Sequence, residues 1–256
     1  MLRAITMLKV IAIGDVHADW GNLFGALKAA YAMDAHGNPT DPVLDGRYRV
    51  ILMGDLVHPK RIEGYEAITA REPYNWRDAE HLNSASRAQV RELYRLKDYV
   101  DKSGGNVQVI LGNHDDAALE HKFLLGTALG VIHAEFDPTK GGTKLPDDLH
   151  DWFKTFVRHV RLHGIHFAHA GPTPGMAYFD DFFYGDPDSK RWWQDKPNLV
   201  KDAGHIFGVY GHTVMENGIY VDAAHGFAMI DALDKRQYLE MLIRDDGSFD
   251  YRIADF

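Results

Sequence analysis

The segment Val10-Ile11-Ala12-Ile13-Gly14-Asp15-Val16-His17 decides the reading of the fold. Four apolar residues read as a strand buried on both faces, and the run stops at a glycine, a carboxylate and an imidazole. The pattern returns twice: Val50-Ile51-Leu52-Met53 meets Gly54-Asp55, and Val107 to Leu111 meets Gly112-Asn113-His114-Asp115. Between these runs lie helical stretches. Asp19 is placed to cap a helix carrying Leu23, Phe24, Leu27 and Tyr31, and a second helix around 78–102 carries Val90, Leu93, Tyr94, Leu96 and Val100. Alternating strand and helix predicts an α/β core. In such sheets ligands bind beyond the carboxyl ends of the strands, where all three polar clusters fall.

The second half of the chain has a different texture. His166 to His169 ends another apolar segment, and Ile206 to Tyr210 leads into Gly211-His212. After Gly218, Ile219-Tyr220-Val221, Phe227 to Ile230, Tyr238 to Ile243 and Phe249 to Ile253 read as short strands joined by tight turns. Loops are expected at 34–48, 133–148 and 170–198, from their Gly, Pro and Asp content. Asp115 is placed to cap a helix that begins near Ala117. No linker or repeat divides the chain, so residues 1–256 are read as one domain.

Composition narrows the function. The 256 residues are 45% apolar and 25% charged, which excludes a disordered chain. No apolar stretch approaches the ~20 residues of a membrane helix, so no membrane role is expected. The opening MLRAITMLKVIAIGD reads as a buried strand, not a signal peptide. Zero cysteines exclude disulfides, thiolate zinc sites and a cysteine nucleophile, and fit a cytoplasmic location. A net charge of −9 makes nucleic acid an unfavourable partner, because phosphate backbones attract clustered Lys and Arg. Fifteen histidines are a different matter. Asp15, His17, Asp55, Asn113, His114, His169 and His212 together form a mixed oxygen and nitrogen set suited to Mn²⁺, Fe or Zn²⁺. Asp15 and His17 lie two apart, so an extended backbone points both the same way. A carboxylate can bridge two cations, and there are enough donors for two incomplete coordination shells.

Gly-Asp-Val-His (14–17), Gly-Asp-Leu-Val (54–57), Gly-Asn-His-Asp (112–115), His169 in His-Ala-Gly and Gly-His-Thr (211–213) resemble, in kind and in order, the motifs of the calcineurin-like metallophosphoesterases. They span residues 14–213. The resemblance implies a four-layer αββα sandwich, with two mixed β-sheets flanked by helices around a dinuclear metal centre. It implies that Asp15 and His17 bind the first metal, that Asp55 bridges, and that Asn113, His169 and His212 complete the second. His114 would protonate the leaving group or steady the transition state, with Asp115 holding its ring. The implied cofactors are two divalent cations, Mn²⁺ first, with Fe or Zn²⁺ as alternatives. A hydroxide shared by the cations would attack phosphorus in line while both metals neutralise the phosphate oxygens. An oriented histidine acid is worth typically about 10²–10⁴-fold in rate.

Two details resemble the phosphoprotein phosphatases and the symmetrical diadenosine tetraphosphatases. Val214 stands where many diesterases and nucleases of the family place a further metal-binding histidine. Tyr220-Val221-Asp222-Ala223, followed by Gly226-Phe227, is similar to their Ile-Asp-Thr-Gly strand. One detail departs. Where those groups read Gly-Asp-X-Val-Asp-Arg-Gly, this chain has His58 and Pro59 in place of the second Asp and the Arg. Lys60 or Arg61 is positioned to take over the phosphate-binding charge, and His58 is a possible substrate contact. The expected reaction is hydrolysis of phosphate monoesters: phosphoproteins, small phosphomonoesters or nucleotides. The alternatives are dinucleoside polyphosphates, then phosphodiesters, and in another class a non-catalytic protein-binding scaffold. The aromatic stretch Tyr178 to Tyr184 with Trp192 and Trp193 reads either as a platform for a base or as a mini-core pinning a long loop.

Overall fold

The computed structural model describes residues 7–120, 125–126, 130–176 and 191–256. The aromatic run 178–184 lies outside them. Strands β1 (Met7–Ile13), β2 (Tyr48–Leu52) and β3 (Val107–Val109) lie parallel in the order β1-β2-β3. β11 (Gln237–Arg244) joins β1 antiparallel, and β12 (Phe249–Asp255) closes that edge. The second five-stranded sheet runs β6 (His159–Leu162), β7 (Ile165–Ala168), β8 (Phe207–Val214), β10 (Phe227–Asp231), β9 (Tyr220–Asp222). Within it, β7, β8 and β10 are parallel. A small pair, β4 (Leu125–Gly126) and β5 (Ile132–His133), stands apart. Each large sheet is therefore mixed, with three adjacent parallel strands, at one side of the first sheet and in the middle of the second.

Alternation along the strands builds two cores at once. On one face of the first sheet Ile11, Ile13, Val50, Leu52, Val107 and Val109 pack with helices α1 (Trp20–Ala29), α4 (Ala79–Lys102) and α6 (Asp147–Phe153). On the other face Val10, Ala12, Ile51 and Met53 join Phe167, Val209 and Met229 of the second sheet. Helix α1 is capped by Asp19, and α4 by Asp78, whose carboxylate accepts the Glu80 and His81 amides. The far layer is thin: among the described residues it holds the single turns Trp192–Asp195 and Leu199–Asp202. The four-layer α/β sandwich expected from the motifs is what the chain forms. Among the described residues no helix is long and apolar enough to cross a membrane.

Two local expectations change. The loop 34–48 contains a one-turn helix, α2 (Asp41–Leu44), entered through Pro42. Helix α5 (Asn113–Glu120) starts at the end of the third motif, not near Ala117. Asp115 thus sits inside its first turn and reaches back to the Gly112 amide at 3.0 Å, in the manner of the acidic member of a capping box. The remaining helix, α3 (Ile62–Thr69), packs on α4 beside the second motif.

Leu96 is wholly buried where α4 covers the first sheet. Leu96→Ala is expected to lower unfolding stability by about 2–5 kcal/mol in a urea titration followed by circular dichroism, with metal binding at native temperature unchanged.

Candidate metal centre

Five parallel strands, three from the first sheet and two from the second, aim their carboxyl ends at one place. Past β1 stand Asp15 and His17; past β2, Asp55; past β3, Asn113 and His114. β7 leads to His169, and β8 carries His212. The loops that follow β1 and β2 are stitched together by backbone bonds, His17 N–H to the Asp55 carbonyl at 2.6 Å and Ala18 N–H to the Leu56 carbonyl at 2.9 Å. Within the second sheet, the Gly211 amide on β8 donates to the His169 carbonyl just past β7 at 2.9 Å. His17, Asp55 and His212 all have positive φ (45°, 48° and 62°), a left-handed backbone that costs about 1–3 kcal/mol per non-glycine residue and recurs at functional sites.

Two glycines are required by close approach. A Cβ on Gly112 would lie 2.1 Å from Asp55 Oδ1, and one on Gly211 would lie 2.0 Å from Asp15 Oδ1. The space is taken by carboxylates that bind backbone. Asp55 Oδ1 accepts the His114 amide at 2.8 Å, and the His212 amide donates to both Asp15 oxygens at 2.9 and 3.1 Å. What remains of Asp55, its Oδ2, sits 3.4 Å from His17 Nε2 and 3.3 Å from His169 Nε2. It stands between two imidazoles.

The imidazoles are oriented for ligation. His17 Nδ1–H donates to the His58 carbonyl at 2.8 Å and His169 Nδ1–H to the Met53 carbonyl at 2.7 Å, which turns each Nε2 to the site. Asn113 Oδ1 lies 3.0 Å from His169 Nε2 and 2.9 Å from His212 Nδ1, and those two nitrogens are 3.3 Å apart. Ligands about 2.1 Å from one cation, at right angles, stand about 3 Å from each other. Asn113, His169 and His212, with Asp55 Oδ2 3.3 Å from His169 Nε2, already have close to that spacing. The group Asp15, His17 and Asp55 is looser, with His17 Nε2 3.9 Å from Asp15 Oδ2.

Charge tells the same story. Burial, with Asp231 nearby, pushes the Asp15 carboxyl well up. Burial would raise Asp55 too, but the charge on His169 brings it well below the usual range. Burial pulls His169 down, yet Asp55 and Asp15 carry it up to about 10, whereas His17 is pushed down by burial to about 3. Buried carboxylates that hold a proton on one imidazole are carboxylates in need of positive charge. A divalent cation between the same groups supplies it and takes the nitrogen lone pair in the proton's place. The donor set fits two such cations, with Asp55 shared.

His114 lies beside this group, its ring edge-on to His17 at 4.7 Å between centroids. Its Nδ1 faces His58 Nδ1 at 3.1 Å. Asp115 does not hold that ring: its oxygens accept the Leu56 amide at 2.8 Å and the Gly112 amide at 3.0 Å, because the early start of α5 turns the carboxylate back to the loops. His58, which the sequence offered as a substrate contact, is buried and backs His114 instead. It stacks on His133 at 4.8 Å, and its amide donates to Gln89 Oε1 at 2.9 Å. Tyr65 and Gln89 then meet on Glu135 Oε1, at 2.7 and 2.8 Å. Burial pushes both His58 and His133 down to about 3, so both rings are neutral. His133, Tyr65, Gln89 and Glu135 carry no motif, and nothing local in the sequence marks them.

A cleft of about 810 Å³ opens from Asp15 and His17 and is walled by Trp20, Phe24, Lys60 and Arg61. Arg61 is exposed there; Lys60 is paired with Asp231, a buried residue missed in the sequence. Its signal was present: Phe227-Ala228-Met229-Ile230 is one more apolar run ending in a carboxylate. Trp192 belongs to a mini-core, edge-on to Tyr210 at 5.2 Å with its Nε1–H on the Ala170 carbonyl at 3.1 Å.

A sandwich of two mixed sheets with a binuclear donor set at the strand ends defines a metal-dependent hydrolase. The calcineurin-like phosphoesterase family profile matches residues 8–239, and the chain belongs to that family. Among solved structures, the cold-active protein-tyrosine phosphatase of a psychrophilic Shewanella species is similar at 15% identity and a TM-score of 0.55, covering 95% of this chain and 80% of that one. A protein serine/threonine phosphatase from Saccharomyces cerevisiae is similar at 10% identity and a TM-score of 0.53, covering 97% and 80%. At such identities the likeness is one of fold. No curated protein sequence matches the chain.

Gly211→Ala is expected to displace the Asp15 carboxylate and weaken Mn²⁺ binding at least about tenfold by calorimetric titration, the range typical when groups that orient ligands are lost. Gly21→Ala, on α1 with nothing within 4 Å of the new methyl, should leave the affinity as it was.

Proposed function

We propose that the chain hydrolyses phosphate monoesters, carried on a small molecule, a nucleotide or a phosphoprotein, with two divalent cations of which manganese is the first choice. The observation that carries this reading is Asp55 Oδ2, set between His17 Nε2 and His169 Nε2 at 3.4 and 3.3 Å beside a cleft that reaches Asp15 and His17. Asp15, His17 and Asp55 would hold one cation, and Asp55, Asn113, His169 and His212 the other. When bound, the pair would ionise a water near neutral pH and offset the phosphate charge.

The chain's own residues do the rest. His114, kept neutral by burial, steadies the transition state by offering a ring N–H to the ester oxygens, and His58 fixes the tilt of its ring from behind. Arg61 and Lys60, on the cleft wall, offer cationic groups to the ester oxygens. Val214 is apolar and 40% exposed, so it offers no further nitrogen to the first cation. That favours a monoesterase over the diesterases of the family. Trp192 lies in a core, which removes one support for a base-stacking platform and with it the preference for dinucleoside polyphosphates.

Metal-stripped protein reloaded with Mn²⁺ is expected to turn over p-nitrophenyl phosphate at least about tenfold faster than its bis-ester or diadenosine tetraphosphate. A preference for the bis-ester would overturn the monoester reading, and no turnover of any substrate by metal-loaded protein would favour the scaffold. Asp55→Asn, which weakens the shared ligand, is expected to lower Mn²⁺-dependent kcat by more than about 10³-fold with an unchanged far-ultraviolet circular dichroism spectrum. Near-wild-type turnover in that variant would sink the two-cation assignment.

A further inference from the structure

Asp231 ends β10, the third parallel strand of the second sheet, and is fully buried. Gly14 brings it to the metal centre. A Cβ on that glycine would lie 2.0 Å from the Ile230 carbonyl oxygen and 3.1 Å from Asp231 Cα, so β1 and β10 touch backbone to backbone just before Asp15. One donor atom from each of Asp15, His17 and Asp231 lies within 4.8 Å of the others. The two oxygens of Asp231 differ. Oδ1 is ion-paired with Lys60, while Oδ2 is buried and has no hydrogen-bond partner. A buried carboxylate oxygen left bare is costly, and residues so placed usually answer to an ion or a proton.

Its neighbour on the next strand gives nothing to the site. Asp231 is the register partner of Val214, across a shift in the β8–β10 ladder, and the Met215 amide donates to the Asp231 carbonyl at 2.9 Å. The looser of the two donor groups, with its 3.9 Å gap between His17 and Asp15, is the one that Asp231 borders.

We propose that Asp231 is a further ligand of the first cation, joining Asp15, His17 and Asp55 through Oδ2 against the competing pull of Lys60 on Oδ1. This rests on the two-cation reading above. The rival role is that Asp231 serves only as the counter-ion that positions Lys60 in the cleft, and the two roles part in a metal titration.

Metal-stripped protein is titrated calorimetrically with Mn²⁺, first as wild type, then as Asn113→Ala, which keeps only the first cation, and then as Asn113→Ala with Asp231→Asn. The added Asp231→Asn is expected to weaken the remaining Mn²⁺ at least tenfold. An unchanged dissociation constant would overturn the proposal and leave the counter-ion role. Lys60→Met guards against a folding defect in the asparagine variant. Freed from its ammonium competitor, the carboxylate should bind the first Mn²⁺ several-fold more tightly, and equal or weaker binding would count against Asp231 as a ligand. The outcomes also separate the two readings. Wild-type protein that takes up no Mn²⁺ overturns the metal centre and this ligand together, whereas two bound cations indifferent to Asp231 overturn this ligand alone.

Discussion

Burying carboxylates is the constraint on which the rest of this structure depends. Asp15, Asp55, Asp115 and Asp231 are all nearly or wholly buried. An ionised carboxylate taken out of water must be repaid by hydrogen bonds and opposite charge, or it neutralises. Asp15 takes the amide of His212 from the second sheet. Asp55 takes that of His114 at the start of α5, and Asp115 takes two amides from two loops. The same bonds that satisfy the acids therefore cross-link the strand ends. Remove the acids and the loops lose their register; move the loops and the acids lose their amides. The left-handed residues His17, Asp55 and His212 persist because this mutual bracing over-determines them.

Much of this was legible in the sequence, for a physical reason. A strand buried on both faces must be apolar throughout, so the switch at Gly14-Asp15, Gly54-Asp55 and Gly112-Asn113 marks where the sheet ends and the site begins. The cap of α1 was equally plain, since Asp19 acts within three residues of itself. What escaped was settled by distance along the chain. Asp231 meets Lys60 across 171 residues, and Tyr65 meets Glu135 across 70. Neither pair leaves a periodic trace. The family resemblance assigned Asp115 to the His114 ring, yet one helical step turns it away. His58, 56 residues distant, arrives instead.

The exchange of partner behind His114 has a chemical consequence. An acidic partner would draw positive charge onto the ring it holds, as Asp55 and Asp15 do at His169. His58 is itself pushed down to about 3 by burial, and so is His133 beneath it. A neutral imidazole orients His114 without fixing a second proton on it. Burial likewise holds His114 well below the usual histidine range. The carboxylate in this relay, Glu135, is set back behind Tyr65 and Gln89, where it anchors the chain of rings and does not charge it.

Charge balance across the cleft then bears on the choice of substrate. With Asp231 counted beside Asp15 and Asp55, the centre holds three carboxylates and one ammonium, Lys60. Two divalent cations, the hydroxide they would generate and the Arg61 guanidinium on the cleft wall, added to that set, leave a surplus of about two positive charges. A phosphate monoester above its second pKa of about 6 carries close to two negative charges, and a diester carries one. The dianion neutralises the loaded centre and the monoanion does not. Had Val214 been a histidine and Asp231 an apolar residue, the surplus would rise to about three, and the fit to a dianion would worsen. A carboxylate on β10 in place of a neutral nitrogen on β8 thus keeps the donors for the first cation while lowering the charge that the substrate must meet.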